Sequence, residues 1–379
     1  MVNYVYKEYK TALNKLKFPD SYFWCRYTLN PYAGCTHACI YCDARSNRYY
    51  LENFEEDVII KQNIAKKLEL TIKNSRSLLL DVIGPGGVCD AYQPIEKKIE
   101  NTREVLKVLA KYKFPVNIAT KSDLIVRDID LLKRIATDTW CTVGFSITTT
   151  DEKLAGVLEP FSSSPQKRLE AMRQIKKSVP EIQIGTYFMP IIPFLEDSDE
   201  NLEDVIKQTK NYKGNFVLFA PGLTLRDDQK AYFIRKLKNS KYRKVTDQLL
   251  NLYKGQYQSK QMKEYVTTQY KKLFTFSKKY SMNIRQKRWI PSDYRKWNYI
   301  IAEKLLNEEY INSIQGKPNS KMKWAGLYLN NLEESIIEVY RRDELYTLRN
   351  FDSQIVDFIK DELKKGKKER DKKTLDRFL

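Results

Sequence analysis

The chain has 379 residues, enough for one barrel-sized domain and an appendage. Lysine and arginine outnumber aspartate and glutamate by 67 to 48, a formal charge of +19 that attracts polyanions. A single histidine, His37, excludes histidine-based triads and multi-histidine metal sites, so demanding chemistry would have to come from a cofactor.

Six cysteines without a disulfide-like framework, and an N-terminus without an apolar leader, point to a reducing cytoplasm. No run of about 18 apolar residues suggests a membrane span. Residues 1–26 are expected to form an N-terminal extension: a polar helix followed by the aromatic connection Tyr22-Phe23-Trp24-Cys25. A strand over Tyr27 to Tyr32 then leads into a cysteine-rich loop. Val58-Ile59-Ile60 is a short extended run, and Ile64 to Ile72 has helical spacing. From Leu78 onward an alternation sets in. Strands are expected at Leu78–Ile83, Val116–Ala119, Cys141–Ile147, Ile182–Phe188 and Phe216–Ala220. Helices are expected at Ile99–Leu109, Ile125–Ile135, Pro165–Ile175 and Leu202–Thr209, with Pro165 suited to a first turn. With the strand before the cysteine loop, six strands alternate with helices, which implies a parallel sheet. A partial (β/α)6 barrel is the expected α/β fold, and an open doubly wound sheet is the competing one. Polar residues collect where these strands end, the end at which barrels of this kind place their chemistry.

Three thiols stand in eight residues, Cys35-Thr36-His37-Ala38-Cys39-Ile40-Tyr41-Cys42. A cubane iron–sulfur cluster needs four ligands and this loop offers three, leaving one iron open to another partner. The alternatives are a zinc site, for which His37 is the only nearby fourth ligand, and plain buried cysteines. Gly86 and Gly87, after the second strand, let backbone approach a ligand closely. Lys121 ends an apolar strand, where an unpaired ammonium would be costly to bury. Ser146, at the end of the fourth strand, can hydrogen-bond ribose hydroxyls or local backbone.

The C-x3-C-x2-C spacing with Tyr41 before the last cysteine resembles the radical S-adenosylmethionine (radical SAM) superfamily. Further runs resemble its spore photoproduct lyase-like branch, also called DNA repair photolyase-like. They are Asn30-Pro31-Tyr32, Asp90-Ala91-Tyr92-Gln93-Pro94-Ile95-Glu96, Thr120-Lys121-Ser122, Ser146-Ile147-Thr148-Thr149, Leu158-Glu159-Pro160, Ser164-Pro165 with Arg168-Leu169-Glu170-Ala171, and Met189-Pro190-Ile191-Ile192-Pro193. The likeness covers roughly residues 10–235, which makes 27–235 the expected radical SAM core. It implies a [4Fe-4S] cluster on Cys35, Cys39 and Cys42, with S-adenosyl-L-methionine chelated by the fourth iron. It also implies reductive cleavage to a 5′-deoxyadenosyl radical, fed by an external one-electron reductant such as flavodoxin or ferredoxin. By the same resemblance Tyr41 packs near the adenine, Ile191 contacts it through backbone, and Lys121 meets the SAM carboxylate. Gly86, Gly87, Asp90 and Ser146 complete the cofactor wall. Arg168 either pairs with Glu159 or reaches the methionine carboxylate. Cys89 stands where the lyase has a thiol that returns a hydrogen atom to the substrate radical, and Tyr92 would relay the radical. Its alternative is a small buried thiol. Asp43, where relatives often carry tyrosine, alters the site wall.

Residues 236–379 change character: lysines, tyrosines and long helical patterns, beginning with a helix over Tyr257–Tyr280. The run from Arg285 to Trp297 mixes cations and rings, as binders of single strands or flipped bases do. The alternative is a mainly helical region whose aromatics are core. Lys364–Arg370 is expected to be a solvated tail. The expected function is hydrogen abstraction by a lyase-like radical SAM enzyme, with a nucleic acid or damaged base as substrate. The competing readings are modification of a peptide or small metabolite and, in another class, a non-catalytic iron–sulfur protein that binds nucleic acid.

Overall fold

The structure is a computed structural model that describes residues 2–51, 53–254 and 259–375, with side chains through Gly366. The chain divides into two compact units: residues up to Leu16 together with Tyr22–Lys287, and Lys17–Ser21 together with Arg288 onward.

The larger unit is built on β1 (Asn3–Glu8), β2 (Asn14–Lys15), β3 (Tyr27–Leu29), β4 (Tyr32–Ala33), β5 (Asp57–Gln62), β6 (Ile83–Pro85), β7 (Val116–Thr120), β8 (Cys141–Ser146), β9 (Gln183–Ile191) and β10 (Phe216–Pro221). Seven of these form one sheet in the order β10-β9-β8-β7-β6-β3-β2. The six from β3 to β10 pair parallel, and β2 closes the edge antiparallel to β3. A doubly wound sheet reverses its strand order at a switch point. Here the parallel strands follow one another without reversal, so the fold is a partial (β/α)6 barrel. Register brings strand ends to a common level, with Thr120 opposite Phe145 and Ser146 opposite Tyr187.

Helices over Ile64–Asn74, Asn101–Lys111, Ile129–Asp138, Pro165–Ser178 and Asp199–Asn211 connect the strands. Their starts are chemically marked. Ser164 accepts from the Lys167 N–H with Pro165 in the first turn, and Ser198 accepts from Asn201. The helix expected over Ile99–Leu109 is broken at Glu100, which has a left-handed φ of 56°. The buried Glu96 carboxylate, from the turn before the break, accepts the N–H groups of Thr102 and Arg103 and so anchors the second piece.

Two expectations are corrected. Residues 1–26 do not begin with a polar helix. β1 runs parallel to β5, from Asn3 opposite Asp57 to Glu8 opposite Gln62, in a small sheet ordered β1-β5-β4. Tyr4, Val5 and Tyr6 favour a pleated edge, and this strand is mostly exposed. The strand expected over Leu78–Ile83 is Ile83–Pro85 instead. The run joins the ladder only where β3 begins, with the N–H groups of Arg26 and Tyr27 donating to Val82 O.

The larger unit continues past residue 236, with helices over Asp227–Lys238, Val245–Leu252 and Lys260–Lys279. Ser259 caps the last of these, and Tyr257, where that helix was expected to begin, lies outside the described residues.

The smaller unit packs helices over Lys296–Ile314, Ser320–Leu329, Ile336–Arg341 and Ser353–Leu375 around a core that includes Ile301, Leu305, Met322, Leu329, Val339 and Val356. The Lys364–Arg370 stretch is helical rather than frayed, and its side chains from Lys367 on lie outside the described residues. Much of the basic and aromatic run before these helices is interior. Arg288, Trp289 and Arg295 are buried, and Arg288 lies 3.7 Å from the Tyr299 ring centre while donating to Asn330 Oδ1 at 2.6 Å. For those residues the core alternative holds. Among the described residues, no helix is long and apolar enough to cross a membrane.

Candidate active site

The cysteine loop leaves β4 through Gly34, whose φ is +80° and where a β-carbon would sit 2.5 Å from Asp57 O. No other residue fits that turn without moving backbone. Cys35 N–H donates to Phe54 O, Ile40 N–H donates to Leu158 O, and Ala38 takes a left-handed φ of 52°. Gln93, fully buried, accepts from Thr36 N–H and donates to Gly34 O, bracing the loop from the far side of β6. Arg45 also holds it. Its Nε donates to Cys39 O at 2.9 Å, its guanidinium lies between the rings of Tyr232 (3.9 Å) and Phe54 (5.0 Å), and it pairs with Glu55. The helix over Asp227–Lys238 adds two further contacts: Gln229 donates to Tyr41 O, and Ser46 donates to Asp227. Just before that helix, Arg226 pairs with Asp43 at 2.6 Å.

Cys35 and Cys39 are buried and Cys42 is half-buried. Burial, then the neighbouring Cys35, pushes the Cys42 thiol up to about 11, against the positive charges of Lys121 and Arg45. Cys39 is raised well above the ordinary thiol value for the same first reason. Among the described residues, no three His, Cys, Asp or Glu side chains converge closely enough to form a metal site as they stand. The donor set still has the chemistry that an iron–sulfur cluster needs: three thiols on one loop, dry enough that a cation rather than water must stabilise their thiolates.

Asp90 ties this loop to the sheet. It accepts from Thr120 Oγ1 and from the N–H groups of Lys121 and Tyr92, and its Oδ2 lies 3.3 Å from His37 Nδ1. Burial opposes its charge, but His37 and these backbone donors hold it down to about 2. Burial likewise opposes charge on His37, yet Asp90 and Cys35 push it up to about 10. Gly86 has a φ of +81°, and a β-carbon there would come within 2.9 Å of Ala91 and Cys89 O. Gly87 instead faces open space, with Thr28 3.9 Å away the nearest atom.

A buried charge cluster sits where β7 and β8 end. Tyr41 donates to Glu159, Arg168 pairs with the same carboxylate at 2.5 Å, and Lys121 Nζ lies 3.9 Å from it and 5.7 Å from the Tyr41 ring centre. Burial opposes the charge of both Glu159 and Lys121. The carboxyl is nonetheless held low, chiefly by Arg168, and the ammonium is held high by Cys39 and Glu159. All three Arg168 nitrogens are engaged by protein, reaching Ser163 O, Ser146 O, Ser162 Oγ and Glu159. Ser146 thus gives its carbonyl to Arg168. Among the described residues its hydroxyl has no hydrogen-bond partner, so of the two partners weighed for it, local backbone is not used. Ile191 is fully buried and its carbonyl accepts from Gly222 N–H.

Cys89 and Tyr92 go different ways. The Cys89 thiol donates to Tyr32 O at 3.0 Å and packs in one cluster with Cys35. The Tyr92 hydroxyl donates to Asp128, which Arg103 and Arg127 also hold. Sequence reading missed Glu196. It is fully buried, with Oε2 accepting from Ile192 N–H and with burial raising its carboxyl well above the usual range. Its one signal was an acid closing the apolar run from Ile191 to Leu195.

Comparison with known proteins bears on this arrangement. Residues 29–209 match the sequence model of the Radical SAM superfamily. An uncharacterised protein of Methanocaldococcus jannaschii is 34% identical over 212 residues, spanning 55% of this chain and 74% of its own. An uncharacterised protein of Mycobacterium tuberculosis is 30% identical over 230 residues, spanning 59% of this chain and 66% of its own. Among solved structures, a spore photoproduct lyase variant superposes with a TM-score of 0.54 at 14% identity, covering 73% of this chain and 79% of that one. The partial barrel, the three-thiol loop at its strand ends and these likenesses agree: the chain belongs to the radical SAM superfamily and has a spore photoproduct lyase-like fold.

Proposed function

We propose that this chain reductively cleaves S-adenosyl-L-methionine at a [4Fe-4S] cluster and abstracts hydrogen from a nucleic acid or a damaged base, in lyase-like chemistry. The observation that carries the reading is the loop of three thiols, two buried and one half-buried, inside the family-matched segment. Cys35, Cys39 and Cys42 would hold the cluster. When bound, cluster and cofactor supply sulfonium cleavage and hydrogen-atom abstraction, chemistry that belongs to them and not to the side chains. The protein's part is to bind, orient and exclude water. Lys121 offers an ammonium to the cofactor carboxylate, and Gly87 leaves room for its approach. Tyr41 presents a ring whose hydroxyl is fixed by Glu159, and Ser146 presents an unengaged hydroxyl at the same strand end. Asp90 and Arg168, saturated by protein partners, keep loop and strands in register. Cys89, buried in one cluster with Cys35, would return a hydrogen atom to a substrate radical. A reducing cytoplasm with a flavodoxin- or ferredoxin-like donor suits such a site. The formal +19 charge favours a polyanionic substrate.

The test is anaerobic reconstitution with iron and sulfide, followed by SAM and dithionite, reading 5′-deoxyadenosine. Its release, and its stimulation by oligonucleotides carrying damaged bases, is the expected result. A reconstituted protein whose spectra ignore SAM would overturn the reading, and stimulation by peptides alone would replace the substrate class.

A further inference from the structure

The geometry points to a nucleotide-sized site on the smaller unit, one that takes a single unpaired base together with its phosphate. It is a cavity of about 280 Å³, lined by Lys17, Phe18, Trp324, Tyr328, Arg349 and Asn350. Trp324 and Tyr328 stand four residues apart on the helix over Ser320–Leu329, so they share a face. The Trp324 indole is 48% exposed, and Phe18 meets it nearly at right angles, at 72° and 6.1 Å between ring centres. That contact fixes the indole without covering both of its faces.

Two cations flank the rings. Lys17 Nζ lies 5.7 Å from the Phe18 ring centre, and Arg349 lines the same cavity. Among the described residues neither makes an ion pair, and the nearby Asp352 is already held by Lys321 at 3.0 Å. Asn350 adds an amide that can both donate and accept. An apolar ligand would leave the cations unused, and an acidic peptide would leave the rings unused. A base with its phosphate engages both, by stacking and by charge. The Arg285–Trp297 run competes poorly for this work, since Arg288, Trp289 and Arg295 are buried. The inference rests on the nucleic-acid reading of the substrate and gives it a place where a strand is held away from the chemistry.

Full-length protein titrated into a labelled single-stranded ten-mer, with anisotropy as readout, tests it. Single strand should bind more tightly than the same sequence as duplex. Trp324→Ala should weaken binding on the order of tenfold, with Trp324→Phe retaining most of it. Arg349→Gln should weaken binding and make its salt dependence shallower by about one counterion. Both variants should keep the wild-type circular dichroism and substrate-free SAM cleavage. If the strand binds all variants alike, the site is overturned and the nucleic-acid reading stands. If no strand binds the wild type at any salt, both fall. If an acidic peptide binds in preference to the strand, the site belongs to a different ligand and the inference fails.

Discussion

Two buried clusters in the larger unit share a plan and differ in one respect. In each, a tyrosine hydroxyl donates to a glutamate that an arginine also grips: Tyr41, Glu159 and Arg168 at the strand ends, and Tyr32, Glu96 and Arg127 behind the turn after β6. Glu96 is closed off by the N–H groups of Thr102 and Arg103, so every strong acceptor direction is used inside the protein. Among the described residues, no backbone N–H donates to the Glu159 carboxylate. Beyond Tyr41 and Arg168 it meets Ser162 Oγ at 3.5 Å and Lys121, which at 3.9 Å is close enough for attraction and too far for a tight bond. Saturation marks a cluster that builds the fold. The loosely held ammonium marks one that can take a ligand.

The sharpest way to break this contrast is to remove the arginines. Arg168→Met leaves a buried carboxylate without its main partner and should cost about 3–5 kcal/mol in urea unfolding. Arg127→Met should cost less, about 1–3 kcal/mol, because backbone donors still hold Glu96. Equal losses would show that the two clusters are alike. Lys121→Met should leave unfolding free energy within about 1 kcal/mol while weakening SAM binding to reconstituted protein on the order of tenfold, read by anaerobic calorimetry. An unchanged affinity would remove the lysine from the cofactor wall.

Acid and base sharpen it further. Asp90 is held down to about 2, so the stability it lends is complete above its unfolded value near 4 and is lost as pH falls through about 2. His37 is pushed up to about 10, so its contribution is complete below about 6.5 and is lost as pH rises through about 10. Asp90→Asn should therefore flatten the unfolding free energy on the acid side, by about 2 kcal/mol between pH 4 and 2. An acid limb as steep as wild type would place the coupling elsewhere. The smallest effect belongs to Cys89→Ala. Its thiol donates to Tyr32 O at 3.0 Å and lies 4.0 Å from Asn30 Oδ1, so stability should change by about 1 kcal/mol. SAM cleavage should persist while products of the substrate radical diverge. An unchanged product distribution would end the donor role.

How much of this was legible beforehand follows from range. The parallel strands announce themselves because each is a short apolar run whose neighbours repeat the pattern, and the thiol loop because its spacing is local. β1 did not, since an exposed edge strand is made by a partner more than fifty residues away. The Leu78–Leu80 part of the run expected over Leu78–Ile83 is apolar enough for a strand, yet among the described residues no partner strand reaches it. The closing of Glu96 by Thr102 and Arg103 depends on where a helix breaks at Glu100, and the pairing of Tyr92 with Asp128 joins residues 36 apart; composition records neither. Arg288 and Arg295 look like phosphate ligands in sequence because a charge does not say which way it points.

Arg45 carries one more consequence. Three of the contacts on the thiol loop and its flank, Tyr232 against Arg45, Gln229 on Tyr41 O and Arg226 on Asp43, come from beyond position 209, where the superfamily match stops. A shortened chain cut at that boundary would keep all six cysteines and lose these three supports of their loop, so the matched segment is not a module that can be transplanted alone.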